Sequence, residues 1–226
     1  PRKLDTLAEL LVGGAQIAGT LLGAPLLRSR YNRYGATAEE LRRALPGDEL
    51  VKHPKLGYTR AITIDAPPEA VWPWLVQIGQ GRGGFYSFDA LENLVGCDIH
   101  SAESIRPELQ ELQVGDRIRA RPQDHPSWVV VDLEVPRHLV LVGADPSTRR
   151  TPPVVEEPPP DYVGTTWQWV LEPLYGGART RLIVRQRLTY GEGQALLWHL
   201  VEPFNFVMER RMLHGLKRRA ERSWSR

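Results

Sequence analysis

The chain has 226 residues, 42% of them hydrophobic and 25% charged, a globular composition that excludes a chain disordered throughout. That length exceeds one average domain and falls short of two, so a single domain with an extension is expected, large enough to fold without disulfides. Cys97 stands alone, which excludes an internal disulfide, a Cys-rich zinc module and an iron–sulfur cluster and fits the reducing cytoplasm. The net charge of +2 does not point to nucleic acid, and the seven Lys/Arg of residues 205–226, set against Glu209 and Glu221, read as the solvated face of a helix.

Residues 10–27 form an eighteen-residue stretch without a charge, followed by Arg28, Arg30 and Arg33. About twenty apolar residues are needed to cross a bilayer, so the stretch stands at the threshold, weakened by Gln16, Thr20 and Pro25. It is long for a secretory signal and lacks a small-residue cleavage site before Arg28. Gly19 and Gly23 have the spacing of close helix contacts. Two readings stay open: a helix packed on protein, its own domain or a second copy, and a helix that associates with the cytoplasmic face of a membrane.

Next comes a short helix, with Thr37 before Glu39 and Glu40 and an end before Pro46-Gly47. A strand over 58–65 puts Ile62 and Ile64 on one face and Thr59, Ala61 and Thr63 on the other. Pro67-Pro68 opens a helix carrying Val71, Trp74, Leu75 and Ile78, with Pro73 inside it. A glycine loop over 79–84 leads to a second short helix that buries Phe88, Leu91 and Val95. From 117 the period becomes two. Val129, Val131, Leu133 and Val135 share a side, Leu139 and Leu141 follow, then Trp167, Trp169 and Leu171. After the Gly176-Gly177 hairpin, Leu182, Val184, Gln186 and Leu188 oppose Arg181, Arg185 and Arg187, a sheet with one dry and one wet face. Residues 145–161 hold six prolines and read as a flap, not a boundary. A terminal helix from about Phe204 carries the stripe Phe204, Val207, Met208, Met212, Gly215, Leu216 and Ala220, with Glu209, Arg210, Lys217 and Arg218 opposite.

The motif G-x-G-x-x-G occurs at 79–84, but it follows a helix and precedes antiparallel strands, so it reads as a turn and not as a dinucleotide fingerprint. Motifs of the common serine hydrolases, zincins and P-loop proteins are missing. Asp98, His100 and Glu103 read as surface groups and not as metal ligands; no metal or cofactor is expected. The histidines His53, His125, His138, His199 and His214 have no nucleophile paired with them in sequence. Tyr86, Asp89 and Glu92 are placed to offer polar groups to a cavity, although Asp89 also suits the first turn of its helix.

The segments ITIDAPPEAVWPWL (62–75), GQGRGGFYS (79–87), DIHSA (98–102) and VGD (114–116) resemble the SRPBCC superfamily, the START-like helix-grip group that includes polyketide cyclases and lipid-transfer domains. FVMERRM (206–212), KRR (217–219), YGAT (34–37) and LPGD (45–48) resemble one bacterial branch of it. The resemblance spans nearly everything beyond the apolar start and supplies no catalytic motif.

The expected fold is therefore α+β, a curved antiparallel sheet wrapped around a long C-terminal helix (residues 56–226), with an N-terminal helical extension (1–55). A cavity between sheet and helix would bind a hydrophobic small molecule, lipid or polyketide-like, against Trp74, Phe85, Tyr86, Phe88, Val131, Leu133, Trp167, Trp169, Val184, Gln186, Phe204, Met208 and Met212. The alternatives are a cyclase or dehydratase using Tyr86, Asp89 or His100, and a membrane-tethered accessory subunit with a protein partner.

Overall fold

Six strands join in one curved, open, wholly antiparallel sheet in the computed structural model, which describes residues 2–123, 126–143 and 163–225. They are β1 (Leu56–Ile64), β2 (Arg117–Arg119), β3 (Ser127–Glu134), β4 (His138–Gly143), β5 (Val163–Leu174) and β6 (Arg179–Tyr190), in the order β1-β6-β5-β4-β3-β2. The described residues also form the α-helices α1 (Arg2–Tyr31), α2 (Ala38–Arg42), α3 (Pro68–Val76), α4 (Asp89–Leu94) and α5 (Ala195–Trp224). This is the α+β helix-grip arrangement. The 145–161 flap and His125 lie outside the described residues.

Period-two alternation builds the concave face. Ile62 and Ile64, Leu139 and Leu141, Trp167 and Trp169, and Leu182 and Val184 all bury there against Met212, Leu213, Leu216 and Ala220 of α5. Close approach at one point requires glycine: a Cβ on Gly215 would lie 2.1 Å from the Tyr86 carbonyl oxygen.

The convex face is not wet. Ile183 stands among the arginines of β6 with no exposure and packs with Leu45, Ala61 and Val170. The segment after α1 folds across this face. Arg185 donates to Thr59 Oγ1 at 2.9 Å and to Asp48 Oδ2 at 2.5 Å, while Arg181 pairs with Glu40 at 2.7 Å. The Arg181 hydrogen bonds hold the Glu40 carboxyl down at about 2. Gln168 reaches the Pro46 carbonyl at 2.9 Å. Arginines at alternate positions thus mark a polar interface and not a solvated surface. The free edge of β1 is closed as well, because Thr59 and Ala61 donate their N–H groups to the Asn32 and Tyr34 carbonyls.

Three boundaries differ from expectation. The apolar stretch 10–27 lies inside a helix of 30 residues. The terminal helix starts at Ala195, nine residues before Phe204, and carries Pro203 within it. In β3 the register shifts between Val130 and Asp132, so the alternation changes side at Val131: Val130 is fully buried and Trp128 and Leu133 pack against the core. One extra residue in a strand reverses the face of everything beyond it.

Candidate functional site

The grip is filled at one end and hollow at the other. Trp167 meets Trp169 at 4.9 Å and Trp128 at 5.0 Å between ring centroids, both in tilted contacts, Phe85 meets Trp128 at 6.4 Å, and Trp74 meets Tyr86 at 6.0 Å. Beyond this aromatic layer lies a cavity of about 730 Å³. Its walls are Leu56 and Tyr58 of β1, Gln186 and Leu188 of β6, Val163 and Thr165 of β5, Ser127 and Trp128 of β3, and the first three turns of α5. The helix contributes Leu197, Trp198, Val201, Phe204 and Asn205. Val95, Cys97 and Arg121 close the side next to α4.

A buried polar cluster lies behind one wall and reaches the cavity through Tyr58 and Asn205. Arg60 has no exposure and donates from Nη1 to Glu209 Oε2 at 2.7 Å and to Asn205 Oδ1 at 3.2 Å. Its Nε donates to the Tyr31 carbonyl at 3.0 Å. Glu209 Oε1 accepts from Tyr58 Oη and from Trp167 Nε1, each at 3.0 Å. Burial, and next the Glu209 carboxylate, push the Tyr58 phenol well above its usual value. The Arg60 guanidinium also stacks on the Tyr58 ring at 3.6 Å. Gln186 stands opposite Tyr58 on one neighbouring strand and Trp167 on the other, and its side-chain amide makes no hydrogen bond among the described residues. Glu202, the cavity's carboxylate, is engaged by Arg28 Nε at 3.0 Å and by Asn32.

Of the thirteen residues expected to line a cavity, Gln186 and Phe204 border this one. Trp74, Phe85, Tyr86, Trp167, Trp169, Val184 and Met212 belong to the packed core, and Leu133 lies against it. Phe88 is buried under the Arg211 guanidinium, Met208 is half-buried with its sulfur 3.9 Å from Ser87 Oγ, and Val131 sits on the bulge. Missed in the sequence were Arg60, Glu209, Asn205, Leu197, Trp198 and Val201. Glu209, expected on the solvated side of the helix, faces the sheet. The signal for Arg60 was its place two residues before Ile62 on the dry side of β1.

The three candidate acid–base groups lie elsewhere. Tyr86 donates to the Trp74 carbonyl at 3.0 Å and accepts from Gln77 Nε2 at 2.9 Å. Asp89 accepts from the Ser101 N–H at 2.7 Å and from its hydroxyl at 2.6 Å, tying the 98–102 loop to the start of α4. His100 is exposed beside Asp98, and Glu103 turns to Arg219 and Arg222. Tyr86 and Asp89 border a separate polar hollow beneath the C-terminal half of α5. Among the described residues no group of three His, Cys, Asp or Glu side chains converges as a metal site would require. The glycine motif closes on itself through a Gly79–Gly84 bridge, and Arg82 fills its centre by bonding the Val76 and Ile78 carbonyls.

Glu92 of α4 is half-buried, with Oε2 unpaired. Burial, then the Asp89 and Glu9 carboxylates, push its carboxyl up to about 8 against a hydrogen bond from Ser87. A carboxyl raised in the folded state stabilises the protein fully below the unfolded value of 4.5, and that contribution is lost as the pH rises through about 8. Urea denaturation of Glu92→Gln across this range should show the variant gaining on the wild type with rising pH; parallel stability profiles would contradict the assignment.

No family model matches the chain, and no curated protein does. Solved structures similar to it include a protein from Arthrobacter aurescens (20% identity, covering 74% of this chain and 87% of that one, TM-score 0.40). A conserved protein from Geobacillus kaustophilus is similar at 16% identity, 74% and 97% coverage and a TM-score of 0.44. A protein from Nitrosomonas europaea is similar at 16%, 74% and 96%, with a TM-score of 0.44. At these scores the likeness carries no functional inference.

Proposed function

We propose that the protein is a START-like member of the SRPBCC superfamily that binds a hydrophobic small molecule, lipid or polyketide-like, in the cavity between the sheet and the first turns of α5. The observation that carries this reading is the 730 Å³ hollow, walled by leucine, valine and tryptophan with few polar groups. Volumes of roughly 300–1,000 Å³ with mainly apolar walls suit a small organic ligand. The Gln186 side-chain amide would orient the guest, since it borders the cavity beside Tyr58 with no hydrogen bond among the described residues.

Carriage is favoured over turnover by the state of the acidic groups. Glu202 and Glu209 are both fixed in ion pairs, and Tyr86, Asp89 and His100 do not border the cavity. General acid–base work needs a titratable group within hydrogen-bond reach of the substrate.

Titration with a dansyl-labelled fatty acid tests the reading. Saturable one-to-one binding is expected. Val201→Trp, which fills the cavity from the α5 wall, should weaken it about tenfold or more, because overpacking leaves no room for a guest. Leu94→Trp, exposed and outside the cavity, should bind as the wild type does. Equal binding by both variants would contradict the site.

A further inference from the structure

We infer that α1 is an in-plane docking helix for an anionic lipid surface, a reading of the molecular surface that stands whether or not the cavity holds a ligand. The helix has two unlike faces. Inward, Gly13 lies on Leu91 and Phe88, Gln16, Thr20 and Leu27 adjoin Phe206, Val207 and Arg210, and Arg28 pairs with Glu202 at 3.0 Å. Outward, Leu4, Leu7, Leu11, Leu22 and Leu26 fall within an arc of about 100°, given 3.6 residues per turn. Their exposures are 74%, 53%, 65%, 87% and 87%.

No charge interrupts residues 10–27, about 26 Å of the helix, and with Leu4 and Leu7, on a face apart from Asp5 and Glu9, the stripe extends to about 33 Å. Exposed apolar surface of that extent marks a contact with a partner or a membrane. Two features select the lipid surface. Arg30 and Arg33, both exposed, stand at the end of the stripe, where anionic headgroups would meet them. The Arg28–Glu202 pair also fixes that end beside the turn of α5 carrying Leu200, next to Leu196 and Leu197, exposed at 56%, 73% and 55%. Leu197 is itself part of the cavity wall. Two greasy patches with an arginine border between them suit a headgroup–acyl boundary.

The helix is long and apolar enough to span a bilayer, but its docked inward face rules that out for this arrangement. Glu9 accepts the Ala90 N–H at 3.3 Å, and Arg28 is committed to Glu202. Lipid cannot surround a helix whose other side is packed on a polar domain.

Flotation of the full chain with phosphatidylcholine vesicles, with and without phosphatidylglycerol, tests the inference. The protein should float with the anionic vesicles. Leu11→Glu/Leu22→Glu should lower the bound fraction about tenfold or more, and Arg30→Glu/Arg33→Glu should abolish the preference for the anionic lipid. Both variants should keep the wild-type circular dichroism spectrum and thermal midpoint, which shows them folded, and dansyl fatty acid uptake should be unchanged wherever the wild type shows it. Failure of the wild type to float, flotation of the leucine variant at the wild-type level, or a dimer in sedimentation that the leucine substitutions dissociate without lipid would each overturn it. Vesicle results and probe uptake are read separately, so loss of one leaves the other reading intact.

Discussion

Glu209→Ala should destabilise the protein by about 3–5 kcal/mol, since it strands a charged Arg60 where water does not reach. The same change leaves the Tyr58 hydroxyl and the Trp167 indole without their shared acceptor. The larger part of the cost comes from leaving the Arg60 charge unpaired and not from the worth of the pair itself, and the smaller part from the two stranded donors. Arg60→Met/Glu209→Leu, which removes both charges, should recover the part due to the unpaired charge, leaving only the smaller cost of the two stranded donors. Guanidinium denaturation of the single and double variants measures this. A double variant as unstable as the single one would mean that the ion pair contributes net stability beyond its own desolvation.

Trp169→Ala should cost a similar amount, about 3–5 kcal/mol, because it empties a site with no exposure at the centre of the sheet. Trp169 faces Leu139 on one strand and Val184 on the other, and its ring rests on Trp167. Its indole Nε1 has no hydrogen-bond partner. Trp169→Phe keeps much of the volume and removes that unsatisfied donor, so it should cost well under half as much. Thermal denaturation of both variants checks the contrast; equal losses would show that the indole N–H makes a bond that matters.

The fold was legible wherever a local pattern had one physical solution. Alternation over 58–65, 167–171 and 182–188 placed strands in β1, β5 and β6, and the proline pair at 67–68 placed the start of α3. What failed was the assignment of side to environment. Arginines on β6 suggested water, yet Ile183 among them was the sign that a further layer, the 36–52 segment, covers that face. The Val131 bulge is not written in composition, because any of several neighbouring residues can be the extra one. The stripe from Phe204 showed only the later part of α5, whereas the helix begins at Ala195 and carries Pro203, which lacks the amide to continue the ladder. That early start brings Leu197, Trp198 and Val201 to the cavity.

The site was therefore half legible. A cavity between sheet and helix follows from a curved sheet with one helix across it, and the large aromatic residues were expected to line it. Instead they pack on one another, from Trp128 through Trp167 to Trp169, and leave the hollow at the far end of the grip. The polar cluster was hidden for another reason. A buried Arg–Glu pair separated by 149 positions leaves no local trace, and each partner alone reads as a surface residue.

Native mass spectrometry of the protein, as purified from cells without detergent, tests most directly whether that hollow is a binding site. The expected spectrum shows an added mass of a small apolar molecule on the wild type, released by collisional heating and missing from Val201→Trp. A bare mass for the wild type under the gentlest conditions, together with no mass gained on incubation with a fatty acid, would contradict the binding role.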